Sequence, residues 1–273
     1  MNRRIDIGID GGGSGSRLLV QSGTRQAEVT GGPANVVTDP EGALANLTTL
    51  LAKGLAALEL PPEAMREARI CAGLAGCRLP GQADAMAMAM PVLAYVVDDS
   101  VTALEGAFGG GDGTLASLGT GSFFIRKDGA RVHHIGGWGF HLGDEGSGAW
   151  LGRRALSLAL QVAEGRLPAD PLADRLIAAT PPHPVLWARE ASPGDFAELA
   201  RLVAGSDTAL GAQLLAETTA ALRSGLRDVG HDGGPLVLTG GLGRLLAPHL
   251  SLDLRAALGR PLDGALHLAK SLP

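Results

Sequence analysis

Residues 5–20 read IDIGIDGGGSGSRLLV, and this stretch decides the fold of the chain. Its alternating isoleucines predict a buried strand that ends at Asp10, and residues 18–20 predict a second strand. The glycines and serines between them can bring backbone N–H groups and hydroxyls close to a ligand. Such a hairpin can hold a phosphate chain, and a carboxylate beside it can hold the accompanying metal ion. An ordinary glycine-rich hairpin is the structural alternative, and this stretch alone does not decide between the two.

Two common phosphate-binding motifs do not fit the hairpin. No Gly-Lys-Ser/Thr follows the glycines, which excludes a P-loop. The turn leads into a strand and not into a helix, which excludes a dinucleotide-binding fingerprint.

The composition indicates a globular protein of the cytoplasm. The chain has 273 residues, of which 45% are hydrophobic and 19% charged. Its net charge of −5 gives no electrostatic reason to expect nucleic acid or an acidic membrane surface as a partner. Cys71 and Cys77 fit a reducing compartment better than a disulfide framework. We find no apolar signal segment near the N-terminus, and the apolar run 85–97 is interrupted by Pro91 and too short to cross a bilayer.

The first half of the chain predicts an α/β unit. Asp39 and Pro40 form a strong helix start, with Asp39 as N-cap, and leucines then recur at helical spacing. The predicted strands are 28–30, 69–74 and a buried strand at 93–97; the predicted helices are 40–58, 83–90 and 101–108.

The second half repeats the opening pattern, with a strand at 113–118, the glycine turn LGTGS at 118–122 and a returning strand at 123–127. The later strands are 131–135 and 236–239, and the helices are 148–164, 171–180, 193–204, 208–229 and a short terminal helix. We therefore expect two α/β domains with mixed sheets, 1–110 and 111–273, flanking a central cleft. The sequence leaves open whether the last helix packs back on the N-terminal domain.

Four motifs together favour phosphoryl transfer. They are Asp10 with its glycine turn, LGTGS, the strand and double glycine LVLTGGLG at 236–243, and Asp98-Asp99 at a predicted strand end. Two phosphate-sized turns, a platform for a nucleotide and a carboxylate supply the positioning groups and the base that this chemistry needs.

The order of DGGGSGS, DDS, LGTGS, GGWGFHLGDEGSGAWLG and LTGGLG resembles the sugar-kinase/Hsp70/actin superfamily. More narrowly, it resembles the N-acetylglucosamine kinase group of the BadF/BadG/BcrA/BcrD ATPase family. The resemblance implies two ribonuclease H-like (actin-like ATPase) domains, ATP and Mg²⁺ as cofactors, and phosphorylation of the 6-hydroxyl of N-acetylglucosamine or glucosamine.

The resemblance also implies roles for particular residues. Asp99 would be the general base and contact the sugar, Asn35 and Asp144 would bind sugar hydroxyls, and Asp10 would orient Mg²⁺ through water. Gly240 and Gly241 would pack on adenosine, and Gly121 would serve both the nucleotide and the sugar. The full nucleotide-binding set is Asp10, Gly11, Gly12, Gly13, Ser14, Gly119, Thr120, Gly121, Gly240 and Gly241.

Structural alternatives stand beside these roles. Asp99 is also a natural N-cap for the helix that follows it, and Asp144 a natural loop or cap residue. Asn35 is also a common turn residue. Asp98 replaces the Asn of the family's Asn-Asp pair, and we hypothesise that this extra carboxylate favours a cationic amino sugar. Gly15 stands where kinases of the group often carry a basic residue, for which Arg17 is a candidate replacement.

Two other functions compete with the kinase. One is an ATPase that activates a partner enzyme through an iron–sulfur cluster between subunits, although the expected cysteine pattern is absent. The other is a sugar sensor without catalysis. Whether the chain forms a homodimer is open.

Overall fold

The computed structural model describes residues 4–273, which form two compact units. Unit 1 comprises the residues up to Asp112 together with Ala256–Pro273, and unit 2 comprises Gly113–Arg255. Across the described residues, no helix has both the length and the apolar character that crossing a bilayer requires.

Each unit begins with three consecutive strands and continues with helices and further strands. The strands are β1 (Ile5–Gly11), β2 (Ser16–Ser22), β3 (Arg25–Gly31), β4 (Ala68–Leu74), β5 (Tyr95–Asp98), β6 (Gly113–Leu118), β7 (Ser122–Asp128), β8 (Arg131–Gly136) and β9 (Leu236–Thr239). The α-helices are α1 (Pro40–Ala57), α2 (Gln82–Ala89), α3 (Asp99–Phe108), α4 (Gly148–Ala163), α5 (Pro171–Ala178), α6 (Pro184–Glu190), α7 (Pro193–Ala204), α8 (Ala209–Asp228), α9 (Gly241–Leu246) and α10 (Pro261–Ser271). Short 3-10 helices lie at Pro62–Glu67 and Ala247–His249.

The two sheets share a topology over four strands, and the sheet of unit 1 has one additional parallel strand. In unit 1 the strand order is β3-β2-β1-β4-β5, with β1, β2 and β3 antiparallel and β4 and β5 parallel to β1. In unit 2 the order is β8-β7-β6-β9, again an antiparallel meander followed by one parallel strand. The duplicated opening pattern of the sequence is therefore a duplicated sheet. Because β1, β4 and β5 run parallel, their carboxyl ends meet at one edge of the first sheet.

The terminal helix α10 belongs to unit 1 and packs on β1 and α3. A Cβ on Gly8 of β1 would lie 2.4 Å from the backbone nitrogen of Leu266. A Cβ on Gly264 would lie 2.1 Å from the carbonyl oxygen of Thr102 in α3. Glycine at these positions lets the backbones approach each other closely.

Both cysteines of the chain are buried in unit 1 as free thiols. Burial raises the pKa of both Cys71 and Cys77 to about 12, so neither carries a reactive thiolate near neutral pH.

The structure departs from the sequence prediction most clearly at strand β5 and helix α6. The strand predicted at 93–97 is β5, Tyr95–Asp98, and Leu93 is 93% exposed, so the prediction that Leu93 lies in a buried strand is wrong. The sequence analysis predicted no helix at α6, whose N-cap is His183 and not one of the usual Ser, Thr, Asp or Asn caps. His183 caps this helix by accepting a hydrogen bond from the backbone N–H of Val185, and Pro184 occupies its first position.

Candidate functional site

The first glycine turn joins β1 to β2 in unit 1. The N–H of Gly12 donates to the carbonyl of Gly15 at 2.9 Å, which closes the turn. Gly11 is tightly packed, since a Cβ there would lie 2.6 Å from the Leu74 side chain. By contrast, a Cβ on Gly13 would meet no protein atom within 4 Å, and Ser14 is exposed. The tip of the turn therefore offers open space beside backbone amides and a hydroxyl.

Asp10 stands at the end of β1 beside this turn and is half-buried. The pKa of the Asp10 carboxyl is raised, because the effect of burial exceeds the opposing effect of the positive charges of Arg17 and Arg260. Arg17 is directly opposite Asp10 in the β1–β2 ladder. Arg17 thus brings a positive charge close to the first glycine turn.

The structure separates the roles of the two neighbouring aspartates. Asp98 is the N-cap of α3, and its Oδ1 accepts hydrogen bonds from the backbone N–H of Ser100 at 3.2 Å and from the Ser100 hydroxyl. Asp99 is the first residue of the helix. The N-cap is therefore Asp98, and the alternative that Asp99 caps the helix is wrong.

The Asp99 carboxyl has an unusual electrostatic environment. Burial, followed by the negative charges of Asp98 and Asp10, raises its pKa to about 7, and backbone amides of the first turn oppose this shift. Asp10 and Asp99 therefore interact at the carboxyl edge of the first sheet. A carboxylate with a pKa near 7 suits a general base at neutral pH.

Asn35 follows β3 and is tied to the same edge. The N–H of its neighbour Ala34 donates to the carbonyl of Gly12 at 2.9 Å, and the N–H of Val36 donates to Ala75, which follows β4, at 3.0 Å. The Asn35 Oδ1 accepts a hydrogen bond from the backbone N–H of Val37 at 2.9 Å. The side-chain oxygen of Asn35 therefore accepts a hydrogen bond within the turn, which agrees with the structural alternative. The side-chain NH2 group is a donor that can bind a hydroxyl oxygen.

The second glycine turn, 119–121, joins β6 to β7 in unit 2. Each of its carbonyl oxygens accepts a backbone hydrogen bond within the protein. Gly119 N–H donates to Gly121 at 2.9 Å, Gly148 N–H donates to Gly119 at 2.8 Å, and Ala149 N–H donates to Thr120 at 3.1 Å. These hydrogen bonds attach the turn to the N-terminus of α4. The carbonyl oxygens of the turn are all used as acceptors for backbone amides of the protein.

The double glycine after β9 packs directly on this turn. Gly240 has a φ of +87°, and a Cβ on it would lie 2.2 Å from the carbonyl oxygen of Leu118. Only glycine can hold this conformation at this approach. A Cβ on Gly241 would meet nothing within 4 Å, so the surface of the platform is open.

A cavity of about 520 Å³ in unit 2 adjoins both glycine segments. Its lining includes Thr120, Gly241 and two charged residues of α7, Glu198 and Arg201, which form an ion pair at 2.7 Å. The volume falls in the range of small-molecule and cofactor sites. The sequence analysis did not single out Glu198 and Arg201. Oppositely charged residues three positions apart are common on the exposed face of a helix, so this pair gives no specific signal of a binding site.

Asp144 lies beside the second turn as a buried residue, 6% exposed, with a φ of +60°. Its Oδ1 accepts a hydrogen bond from the backbone N–H of Ser122 at 3.3 Å. The structure therefore brings Asp144 together with Gly121 in unit 2. In unit 1, Asp10 is near enough to Asp99 for its charge to raise the pKa of Asp99, and the neighbours of Asn35 are hydrogen-bonded to Gly12 and Ala75.

A magnesium ion bound together with a nucleotide needs fewer protein ligands than a metal ion held by the protein alone. Among residues 4–273, no three His, Cys, Asp or Glu side chains are grouped to hold a metal ion. Mg²⁺ usually takes one or two carboxylates, water and substrate phosphates, and does not need such a cage. Asp10, a half-buried carboxyl in the strand that leads into the open turn, can supply one such carboxylate.

Comparison with known proteins gives consistent similarities. The profile of the BadF/BadG/BcrA/BcrD ATPase family matches residues 7–247. The chain is 28% identical to the glucosamine kinase GspK of Vibrio cholerae, over 96% of this chain and 95% of that protein. It is 32% identical to an N-acetylmuramic acid/N-acetylglucosamine kinase of Clostridium acetobutylicum, over 57% of this chain and 53% of that protein. A crystal structure from Chromobacterium violaceum, assigned as an N-acetylglucosamine kinase, superposes with a TM-score of 0.85 at 28% identity, covering 98% of this chain and 100% of the other. These similarities confirm the α/β fold class that the sequence predicts.

Proposed function

Because the chain belongs to the BadF/BadG/BcrA/BcrD ATPase family, we propose that it is an ATP-dependent amino-sugar kinase. The reaction we propose is phosphorylation of the 6-hydroxyl of glucosamine or N-acetylglucosamine. The observation that carries the proposal is Asp99, a carboxyl with a pKa of about 7 at the edge where the first glycine turn also lies. The similar kinases are the second support.

Asp99 would act as the general base. In its ionised form it accepts the proton of the sugar 6-hydroxyl as that oxygen attacks the γ-phosphorus of ATP, and ADP leaves. Asp98 would hold Asp99 at the start of α3 through its cap, which keeps the base on a rigid element. Asp10 would hold Mg²⁺ through water, and the ion when bound neutralises phosphate charge.

The glycine segments would bind the nucleotide. In unit 1, Gly12, Gly13 and Ser14 surround the open tip of the first turn, which suits the β- and γ-phosphates. In unit 2, the cavity beside Thr120 and Gly241 suits adenosine, with the glycine surface against the flat base. We propose that the remaining nucleotide contacts are those of Gly11, Gly119, Gly121 and Gly240.

Asn35 and Asp144 are our proposed sugar ligands, together with Asp99 and Gly121. The Asn35 amide can donate to a sugar hydroxyl while its Oδ1 serves the turn. Our hypothesis that Asp98 attracts a cationic sugar finds less support, because its carboxylate is engaged by Ser100.

The test is an ADP-release assay with a sugar panel of glucose, glucosamine, N-acetylglucosamine and N-acetylmannosamine. We expect ADP release that depends on sugar and is greatest with one of the two glucosamine sugars. The product should carry its phosphate at oxygen 6 by NMR. ATP hydrolysis that no sugar of the panel accelerates would contradict the kinase assignment and favour the activating ATPase. Sugar binding without turnover would favour the sensor.

For the compartment, we propose the cytoplasm, where ATP is available and the free thiols Cys71 and Cys77 remain reduced.

A further inference from the structure

Asp144 has a backbone conformation that is uncommon for a residue other than glycine. Its φ of +60° lies in the left-handed region, and the other non-glycine residue with positive φ in the part of the chain described is Glu59. Asp tolerates this region better than most residues but gains nothing from it. Asp144 is also buried, and a buried carboxyl needs hydrogen-bond donors. Two unfavourable features at one residue call for a compensating contact.

The contact is with the second glycine turn. The Asp144 Oδ1 accepts from the Ser122 backbone N–H at 3.3 Å, at the point where the turn enters β7. Its Oδ2 stands 2.7 Å from the position that a Cβ on Gly121 would occupy. The three protein atoms nearest to that position all belong to the Asp144 carboxyl group. Burial raises the pKa of Asp144, and the amides of Ser122 and Gly139 lower it by binding the carboxylate.

The loop around Asp144 is bonded to the turn and to α4 at further points. Ser122 Oγ donates to the carbonyl of Glu145 at 2.9 Å, and Ser147 N–H donates to the carbonyl of Asp144 at 3.0 Å. Ser147 in turn caps α4, whose first amides hold the turn carbonyls of Gly119 and Thr120. The turn is thus held by α4 on one side and by the Asp144 carboxyl on the other.

We propose that Asp144 is a positioning residue for the nucleotide turn 119–121, in addition to the sugar contact proposed above. Its carboxyl fixes the backbone of Gly121 and Ser122, and the turn then presents a preformed surface to the nucleotide. This inference rests on the proposed nucleotide site, but it concerns nucleotide binding in the absence of sugar.

The test is calorimetric binding of Mg·ADP to the full chain without sugar. Asp144→Gly removes the carboxyl and suits the left-handed backbone, so the variant should fold. It should bind ADP about tenfold more weakly or worse, as expected for loss of a hydrogen bond to a charged group. Asp144→Asn keeps an oxygen acceptor and tolerates the same backbone, so it should recover most of the affinity. If Asp144 contacts only the sugar, the substitution should leave the ADP affinity unchanged and raise only the KM for sugar. That result would overturn the inference.

A double-mutant cycle provides a readout that general destabilisation would not produce. Gly121→Ala should weaken ADP binding in the wild-type background, because the new methyl group meets the Asp144 carboxylate. In the Asp144→Gly background the same methyl group has room, so the added loss should be small. Additive losses would contradict the proposed contact. Wild-type protein that binds no ADP would instead overturn the proposed function, which keeps the two failures distinct.

Discussion

At the scale of single residues, Asp99 carries the proposed chemistry. Asp99→Asn leaves the helix cap on Asp98 intact but removes the base, so turnover should fall by two to four orders of magnitude. Affinities for ADP and sugar should change little. Because burial and two negative neighbours disfavour the ionised carboxylate, the variant should unfold at a temperature equal to or above that of the wild type at pH 8. Sugar-dependent ADP release that survives the substitution would remove Asp99 from the role of base.

The pKa of Asp99 predicts a pH profile. A base must be ionised, so kcat/KM for the sugar should decline as the pH falls through about 7. Asp98→Asn keeps a capping side chain and removes a negative neighbour, which allows Asp99 to ionise at lower pH. The midpoint of the profile should therefore move to lower pH in this variant. Asp84→Asn, an exposed carboxylate of the same unit, is the control and should leave the midpoint unchanged; equal shifts in both variants would contradict the assignment.

Sequence alone proposes candidate residues for the site but does not predict the contacts that they make. For the DDS run at a strand end, the sequence left Asp99 as either the proposed base or the helix cap, and the choice of cap depends on where the helix begins. That boundary is set by backbone geometry, which places Asp98 outside the first turn of α3. The contact of Asp144 with Gly121 joins residues 23 positions apart in sequence, and no local pattern encodes it.

At the scale of elements, Arg69 fastens the C-terminal helix of unit 1. Its guanidinium donates to the buried carboxylate of Asp6 and, at 2.8 Å each, to the carbonyls of Lys270 and Leu272 at the end of α10. Arg69→Met would leave Asp6 without its main cation and the helix carbonyls without a donor. We expect the free energy of unfolding to fall by about 3 kcal/mol.

Urea denaturation measures this loss, and Arg66→Met is the matched control. Arg66 is exposed in the preceding 3-10 helix, so its substitution should change stability by less than about 0.5 kcal/mol. Equal effects of the two substitutions would mean that α10 is held by apolar packing alone.

The elements themselves were predictable where periodicity and caps agree. Helix α1 follows Asp39 and Pro40 as expected, because cap, proline and leucine spacing all favour one start. Helix α6 and strand β5 were harder, since proline-rich and short apolar stretches fit more than one structure. Packing on neighbouring elements, which sequence does not display, decides such cases.

At the scale of the whole molecule, the chain uses one sheet topology twice. In both units a three-stranded meander carries a glycine turn after its first strand, and a parallel strand lies on the other side of that first strand. The sequence predicted this duplication from turn composition, since glycine and hydroxyl residues at a hairpin tip are constrained by local geometry. The helices differ between the units, and so do the chemical roles that we propose for the two turns.

The division into two units separates the natural reporter groups of the chain. Both cysteines lie buried in unit 1, whereas all three tryptophans, Trp138, Trp150 and Trp187, lie in unit 2. Reaction with a thiol reagent therefore follows the opening of unit 1, and tryptophan fluorescence follows the unfolding of unit 2. A single denaturation series of the unmodified protein can thus reveal whether the two halves melt as one cooperative body or in succession, without introducing a label.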